Sequence, residues 1–369
     1  MKPIRILQMM SSLDIGGSQA FVMNLYRNID RESIQFDFII DHPEQTYFQA
    51  EIEKLGGKVY VLPSFRGTNI KELKKAWNKF FLEHPEYRVL HSHSRSYASI
   101  YIPIAKKYGI KTIIHSHSTS NGKGIGAVVK AFLQYPLRYQ ADYFMACSYE
   151  AGEWLFGRKV CKNANFQIVK NDFDSQKYIY NKEIRQQARQ ELGLGEAFVL
   201  GYLARVTEPK NPLYAIEVFY ALREMLPDAK LLFVGDGSLM QKVRDKAAEY
   251  GILDSIVFTG SRPDVERMLF AMDCYILPSL WEGLGISLIE AQASGLPCIC
   301  SENIPDEAII TDLVMQTSLA ERAEHWATKI LEKTKIFERM DQSERIKKAG
   351  YDIHENVNKI TAFYQNILD

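Results

Sequence analysis

The chemical signal in this chain is densest between residues 278 and 297, PSLWEGLGISLIEAQASGLP. An apolar run ends at Pro278, a loop carries Glu282, Gly283, Leu284 and Gly285, and a helical segment carrying Glu290 follows. A loop carboxylate such as Glu282 can accept hydrogen bonds from sugar hydroxyls. The loop N–H groups and the first turn of the helix can meet phosphate or hexose oxygens, because those donors lack intrahelical partners. Glu290, about a turn into the helix, can reach ribose hydroxyls. Ile286, Leu288, Ile289, Ala291 and Ala293 surround it and imply partial burial. A buried carboxylate without a partner is costly, so a ligand or a basic partner is expected. For either glutamate alone, a helix cap or an ion pair is the structural alternative.

Other junctions carry weaker signals. Gly16-Gly17 lies between an apolar run and a helical segment, where glycines let an anion approach the backbone; a plain turn is the alternative. Arg205 and Lys210, in GYLARVTEPKNP, are five residues apart just after an apolar run. Arginine forks onto phosphate oxygens and lysine adds a point charge, so the pair can clamp a diphosphate; solvated surface charges are the alternative. Gly235-Asp236-Gly237 and Gly260-Ser261-Arg262-Pro263 close two further runs, and Ser261 and Arg262 can offer groups to a base edge. Four of the eight histidines form His91-Ser92-His93 and His115-Ser116-His117. A spacing of two puts each pair on one face of a strand. Neither motif contains a carboxylate or thiol to complete a metal shell, so hydrogen bonding to a polar substrate is expected and no metal. Asp172-Phe173-Asp174 looks like a metal–diphosphate D-x-D but lacks a strand-to-loop context and reads as structural.

These residues need elements to position them. Short runs rich in Ile, Val, Phe and Tyr fall at 4–10, 35–41, 58–62, 87–93, 111–117 and 142–148, then at 197–204, 229–235, 255–260, 273–279 and 297–301. Helical periodicity fills the intervals, as at 18–29, 70–84, 211–226 and 239–251. Continuous apolar runs suit parallel strands covered on both faces. Strand–helix alternation implies right-handed crossovers and a doubly wound sheet, and two such sets imply two Rossmann-like domains. Residues 170–196 are polar, break the rhythm and mark the boundary. The expected domains are 1–171 and 172–351. The segment 352–369, with Val357, Ile360, Phe363, Tyr364 and Ile367 on one helical face, packs back on the first.

Composition narrows the class. With 369 residues, two domains are the prior, and 46% hydrophobic against 24% charged residues excludes a disordered chain. Lys plus Arg and Asp plus Glu number 45 each, which argues against a nucleic-acid partner. The amino-terminal MKPIRILQMMSSL reads as a strand rather than a signal peptide. Five cysteines, an odd number, suit free thiols in a reducing, cytoplasmic setting. Charge is uneven: residues 1–171 balance at +9 and the rest at −9. Residues 65–139 hold 13 basic against 3 acidic side chains. Within them GIGAVVKAFLQYPLRY (124–139) mixes aromatics, aliphatics and cations. It suits either peripheral contact with the inner face of a membrane or an amphipathic core helix with a wet basic face.

Taken together, the motifs resemble the retaining glycosyltransferases of family 4, which have the GT-B fold: two Rossmann-like doubly wound parallel-sheet domains facing across a cleft. The resemblance rests on Gly16-Gly17, the HSHS strand end, ACSYEAGEWLFG (146–157), Gly201…Arg205…Lys210-Asn211, VGDG (234–237), FTGSRPDV (258–265) and above all 278–297. It departs at Gln19, where many members have Glu, and at Asn171-Asp172-Phe173-Asp174, where many have Asn-Gly-Ile-Asp. The resemblance implies transfer of a hexose-type sugar from a nucleotide-diphosphate sugar, of the UDP class, to a glycan or lipid-diphosphate-linked acceptor in exopolysaccharide or capsule assembly. It also implies roles. Arg205 and Lys210 neutralise the leaving diphosphate with Gly17 nearby, Glu282 holds the donor sugar, Glu290 holds the ribose, and His117 contacts the transferred sugar. Gly16, Gly235, Ser261, Arg262, Gly283, Leu284 and Gly285 complete the donor site, with no cofactor and no metal. A sugar-nucleotide epimerase and a non-catalytic nucleotide-binding subunit are the alternatives.

Overall fold

The computed structural model describes residues 3–44, 46–118, 124–335 and 338–368. The chain divides into two units, residues 1–173 with 350–369, and residues 174–349.

The first unit is built on a seven-stranded parallel sheet. Its strands are β1 (Ile4–Met9), β2 (Ile34–Ile40), β3 (Val59–Val61), β4 (Val89–Ser92), β5 (Lys111–Ser116), β6 (Tyr143–Ala146) and β7 (Phe166–Ile168). Their spatial order is β3-β2-β1-β4-β5-β6-β7. The order reverses beside β1, which pairs with β2 on one side (Ile6 opposite Phe36) and β4 on the other (Ile6 opposite Val89). Strand side chains alternate between two cores. Ile6, Phe36 and Phe38 face Phe21 and Tyr26 of the helix Gly17–Asn28, while Leu7, Met9 and Ile39 face Trp77, Phe81 and Tyr101. Both faces are covered, which is why the strands read as runs rich in apolar residues rather than as an alternation. The helix Ile353–Asn366 belongs to this unit, burying Val357, Ile360 and Tyr364 against Phe21 and Tyr26, with Phe363 partly buried beside them.

The second unit has a six-stranded parallel sheet of β8 (Val199–Leu203), β9 (Lys230–Val234), β10 (Ile256–Gly260), β11 (Cys274–Leu277), β12 (Cys298–Ser301) and β13 (Val314–Thr317), in the order β10-β9-β8-β11-β12-β13. Its core packs Tyr202 and Phe233 against Phe219, Leu222 and Trp326.

Two features differ from the sequence expectation. The strands β7 and β13 were not expected; they are short, at or near a sheet edge, and half-exposed, so they lack an apolar run. The polar segment 170–196 is not wholly a linker. It contains the helix Lys182–Glu191, whose Asn181 side chain accepts from the Ile184 N–H at 3.0 Å. Arg185 and Arg189 fasten that helix to Asp273 at 2.6 and 3.2 Å, and Arg185 also donates to the Phe270 and Met272 carbonyls. This strongly polar helix, which buries Ala188 and Arg189, is held here by cations reading carbonyls at the end of a neighbouring helix.

Candidate active site

In open α/β sheets, ligands bind beyond the carboxyl ends of the strands. In the second unit four such ends are tied into one rim. The backbone N–H of Gly235 donates to the Gly260 carbonyl at 2.8 Å, and Val206 N–H donates to the Asp236 carbonyl at 2.9 Å. A Cβ on Gly235, where φ is +128°, would lie 2.0 Å from the Ala204 carbonyl oxygen. Gly235 therefore lets the exits of β8 and β9 touch, and its own N–H is occupied within the fold. Leu280 N–H donates to the Pro209 carbonyl at 2.8 Å, joining the exit of β11 to that of β8.

On this rim Lys210 and Glu282 are ion-paired. The Glu282 carboxylate also accepts from the Ser279 hydroxyl at 2.7 Å, and its side chain is only 5% exposed. The two were expected to face diphosphate and sugar separately; in this state each is the other's partner. Arg205 is different. Its side chain is exposed, and no hydrogen-bonding or ionic partner is found for it among the described residues. A free guanidinium and a lysine thus leave the same short loop.

Gly285 starts the helix Ile286–Ala293 at φ +84°, and no side chain caps that end. A left-handed residue there turns the chain from the Glu282–Gly283–Leu284 loop into the helix. Tyr275 braces the turn, its hydroxyl 2.9 Å from Ser287 Oγ and donating to the Leu203 carbonyl at 3.0 Å. Glu290 is half-buried and accepts from the Tyr178 hydroxyl at 2.9 Å. Burial, reinforced by Glu266, pushes its carboxyl up to about 7 while Tyr178 opposes the shift. Ser261 is exposed, and Arg262 is half-buried in a two-point contact with Asp264 at 2.8 and 2.6 Å.

The first unit has its own rim. Gly16 precedes the helix Gly17–Asn28 in extended conformation without a side-chain cap, and a Cβ on Gly17 would meet nothing within 4 Å. Space is open there. Gln19 donates to the Ser12 carbonyl at 3.3 Å, bracing the loop.

The four histidines do converge. His115 and His117 stack at 4.0 Å, His91 lies parallel to His115 at 5.4 Å, and Phe21 meets His115 edge-on at 5.1 Å. His117 Nε2 lies 2.8 Å from His93 Nδ1, and its Nδ1 lies 3.2 Å from Asn171 Oδ1. His91 Nδ1 meets the Tyr364 hydroxyl at 2.6 Å. Burial pulls all four imidazoles down, His117 to about 4 with Arg95 adding to the effect, so they are neutral at pH 7. His117 can give or accept a hydrogen bond without carrying charge. Ring nitrogens of His91, His93 and His115 lie within 4.8 Å of one another, a group a metal ion could occupy. The D-x-D carboxylates have structural surroundings: Asp172 is buried and pushed up to about 7 by that burial, and Asp174 accepts from Gln176 N–H in a turn at 3.2 Å.

Two arrangements escaped the sequence reading. At the exit of β2, His42 Nδ1 lies 2.8 Å from Asp41 Oδ1, while the buried Tyr97 hydroxyl donates to Asp41 Oδ2 at 2.6 Å. Asp41 raises the half-exposed imidazole. Beyond β4, Arg95 stacks over Trp154 at 4.8 Å and donates to the Ser118 carbonyl at 3.2 Å. Both follow strand ends, the signal that found the others; Asp41-His42 could have been found by applying it to β2.

Residues 15–177 match the family described as Glycosyltransferase Family 4, and residues 184–352 the one described as glycosyl transferases group 1. The chain belongs to the family 4 glycosyltransferases. Over 368 residues this glycosyltransferase is 28% identical to the putative glycosyltransferase EpsF of Bacillus subtilis (strain 168), covering 98% of this chain and 96% of that protein. It is 26% identical to the UDP-Gal:alpha-D-GlcNAc-diphosphoundecaprenol alpha-1,3-galactosyltransferase of Escherichia coli, over 63% of this chain and 62% of that protein. Among solved structures, HepE of Anabaena in complex with UDP and glucose superposes with a TM-score of 0.78 at 18% identity, covering 98% of this chain and all of that one. WaaG, a lipopolysaccharide-biosynthesis glycosyltransferase, gives 0.74 at 15% identity over 97% of this chain and 99% of its own. The glycosyltransferase thus has the GT-B fold. No helix among the described residues is long and apolar enough to cross a membrane.

Proposed function

We propose that this glycosyltransferase moves a hexose-type sugar, with retention of anomeric configuration, from a UDP-sugar to a glycan or lipid-diphosphate-linked acceptor. The setting proposed is exopolysaccharide or capsule assembly, in the cytoplasm, with peripheral contact at the inner face of the membrane through residues 65–139. The observation that carries the reading is the β8 exit loop, which presents an unpaired, exposed Arg205 and brings Lys210 to the Glu282 carboxylate. The UDP and glucose bound by the Anabaena protein, and the UDP-Gal donor and diphosphoundecaprenol-linked acceptor of the Escherichia coli enzyme, support the choice of donor and acceptor class.

The logic is electrostatic. Breaking the anomeric C–O bond loads negative charge onto the diphosphate. Cations fixed there bind more strongly in the transition state than in the ground state, which is the condition for acceleration. In this proposal Lys210 leaves Glu282 for the diphosphate when donor binds, and Glu282, freed, accepts from sugar hydroxyls. The uncapped start of the helix at Gly285 offers N–H groups, with Gly283 and Leu284 beside it, and Glu290 takes ribose hydroxyls. Ser261 and Arg262 frame the base. On the first unit, the open space at Gly17 admits the donor phosphates, and neutral His117 hydrogen-bonds the transferred sugar. In a front-face route the departing phosphate oxygen takes the acceptor hydroxyl proton, so the protein need supply no nucleophile. No cofactor or metal has a role, since Arg205 and Lys210 do the charge neutralisation.

A screen of nucleotide sugars, reading released nucleoside diphosphate with and without EDTA, tests this. Turnover of a UDP-hexose undiminished in EDTA is expected. Strict metal dependence would overturn the cationic clamp and return attention to the histidine group.

A further inference from the structure

The polar groups behind His117 form one hydrogen-bonded chain that starts on the carboxyl-terminal helix Ile353–Asn366. Gln8, His91 and His115 alternate onto the sheet face that carries Ile6, Val89 and Ile113, and Tyr364 of that helix packs on the same face. His93 and His117 lie just past the strand ends. The Tyr364 hydroxyl is 2.6 Å from His91 Nδ1, and Gln8 Nε2 donates to the same hydroxyl at 3.3 Å. Gln8 Oε1 is 3.0 Å from His93 Nε2. His93 Nδ1 is 2.8 Å from His117 Nε2, and Asn171 stands at His117 Nδ1. Tyr364, Gln8 and His91 are buried, so their polar atoms must answer one another.

The order of protons along this chain follows from its ends. Burial keeps the imidazoles neutral, so each ring has one N–H and one lone pair. A separation of 2.6 Å is below the usual range for an N–H donor and suits a hydroxyl, so Tyr364 donates to His91 Nδ1. The Tyr364 oxygen then only accepts. Gln8 therefore turns Nε2 to Tyr364 and Oε1 to His93. An amide oxygen has no proton to give, so His93 carries its proton on Nε2 and offers a lone pair at Nδ1. Across the 2.8 Å gap His117 must donate, which places its one proton on Nε2. His117 Nδ1 is left as a lone pair. The Asn171 side chain is half-exposed, with no other partner among the described residues, and its amide meets that lone pair by turning Nδ2 to it. With the His117 proton on Nδ1 instead, His93 would donate to His117, and its bare Nε2 would face the Gln8 oxygen. Two lone pairs would then oppose each other in a buried site.

We propose that Tyr364, Gln8 and His93 are positioning residues that hold His117 in its Nε2–H form, so that a hydroxyl of the transferred sugar donates to the His117 Nδ1 lone pair. The proposal rests for its purpose on the reading that His117 hydrogen-bonds that sugar, and its tautomer test does not use the sugar. Nε2 is spent on His93, so Nδ1 is the one ring nitrogen left to a ligand. A lone pair held there selects a group that gives a proton; a hydroxyl fits, and an ether oxygen in the same place does not. The carboxyl-terminal helix thereby sets the hydrogen-bonding sense of a residue at the exit of β5.

Nitrogen-15 NMR of the full chain with labelled histidine reads the tautomer, and His117→Asn assigns the signal. The parent should show a protonated Nε2 and a bare Nδ1 on His117. Tyr364→Phe keeps the ring but frees the Gln8 amide to turn, and should give His117 as a mixture of tautomers. Its kcat/KM for the nucleotide sugar should fall about tenfold, the worth of one hydrogen bond, while UDP affinity by calorimetry stays within about twofold. Asn171→Ala, at a half-exposed position, should leave the tautomer unchanged. A proton on Nδ1 in the parent, an unmixed Nε2–H signal in Tyr364→Phe, or a tautomer switch in Asn171→Ala would overturn the proposal. So would an equal loss of UDP affinity in Tyr364→Phe, which would mark the tyrosine as structural only. Should Tyr364→Phe fail to fold, the parent and Asn171→Ala spectra decide alone. UDP-glucose or UDP-galactose, but not UDP, should shift the Nδ1 resonance. If neither moves it while the Nε2–H form stands, the sugar reading of His117 falls and the positioning chain remains.

Discussion

Replacing Lys210 with methionine removes the cationic partner of a carboxylate whose side chain is only 5% exposed. Glu282 would keep the hydrogen bond from the Ser279 hydroxyl at 2.7 Å. A buried charge stripped of its partner costs about 3–5 kcal/mol. Some of that is relieved here, because Lys210 is itself a quarter exposed and water can enter, so a loss of about 2–3 kcal/mol is expected for Lys210→Met. Glu282→Gln should cost less, about 1 kcal/mol, since the lysine left behind can turn to solvent. In Lys210→Met with Glu282→Gln no charge remains to be stranded, and the double variant should recover most of the loss. The non-additivity, about 1.5–3 kcal/mol, is the worth of a charged hydrogen bond in this setting. Urea unfolding of the four proteins measures it. UDP titration of the same four by calorimetry then separates stability from binding: both lysine variants should bind UDP at least tenfold more weakly, whereas Glu282→Gln, which frees Lys210, should bind UDP as well as or better than the parent. Additive stabilities would refute the ion pair. Unchanged UDP affinity in Lys210→Met would refute the assignment of Lys210 to the diphosphate.

Three further outcomes are expected. Arg205→Ala should lower sugar transfer by about 10²–10³ with no change in unfolding midpoint, because the side chain is exposed and unpaired in the fold; near-normal turnover would contradict the clamp. Glu290 holds its proton to about 7 in the fold, against 4.5 ordinarily. The folded state therefore binds more protons than the unfolded one between those values, and stability falls as pH rises through them, by up to about 3 kcal/mol from this group. The stability difference between the parent and Glu290→Gln should track that fall, and a pH-independent difference would show Glu290 to be an ordinary carboxylate. His117, depressed to about 4, works in the opposite sense: stability rises as pH climbs from about 4 to 6.5. Histidine NMR should show its ring neutral at pH 6 and titrating near 4, and a midpoint close to 6.5 would place it in water.

The layered fold was legible because parallel strands covered on both faces must be largely apolar, as in CYIL of β11 and LLFV of β9. The strands β7 and β13 were not, because three- or four-residue strands with half-exposed side chains carry no such run. The 278–297 segment displayed its carboxylates and glycines in order, since a strand-to-helix turn is local. That the Glu282 carboxylate pairs with Lys210, seventy-two residues earlier, is a fact about neighbouring strand exits on the sheet.

The histidines and the 124–139 helix mark the same division. A spacing of two placed each pair on one strand face, but only the parallel register, with His91 opposite Ile113, brings the two pairs into one stack, and only burial there makes them neutral. Likewise the sequence alone determined that Val128, Phe132, Tyr135 and Tyr139 share a helical face. Periodicity is an internal property of a segment and carries no direction. Which way that face points depends on what the rest of the chain already covers, and here the anchoring of Leu137 turns the apolar stripe outward to solvent.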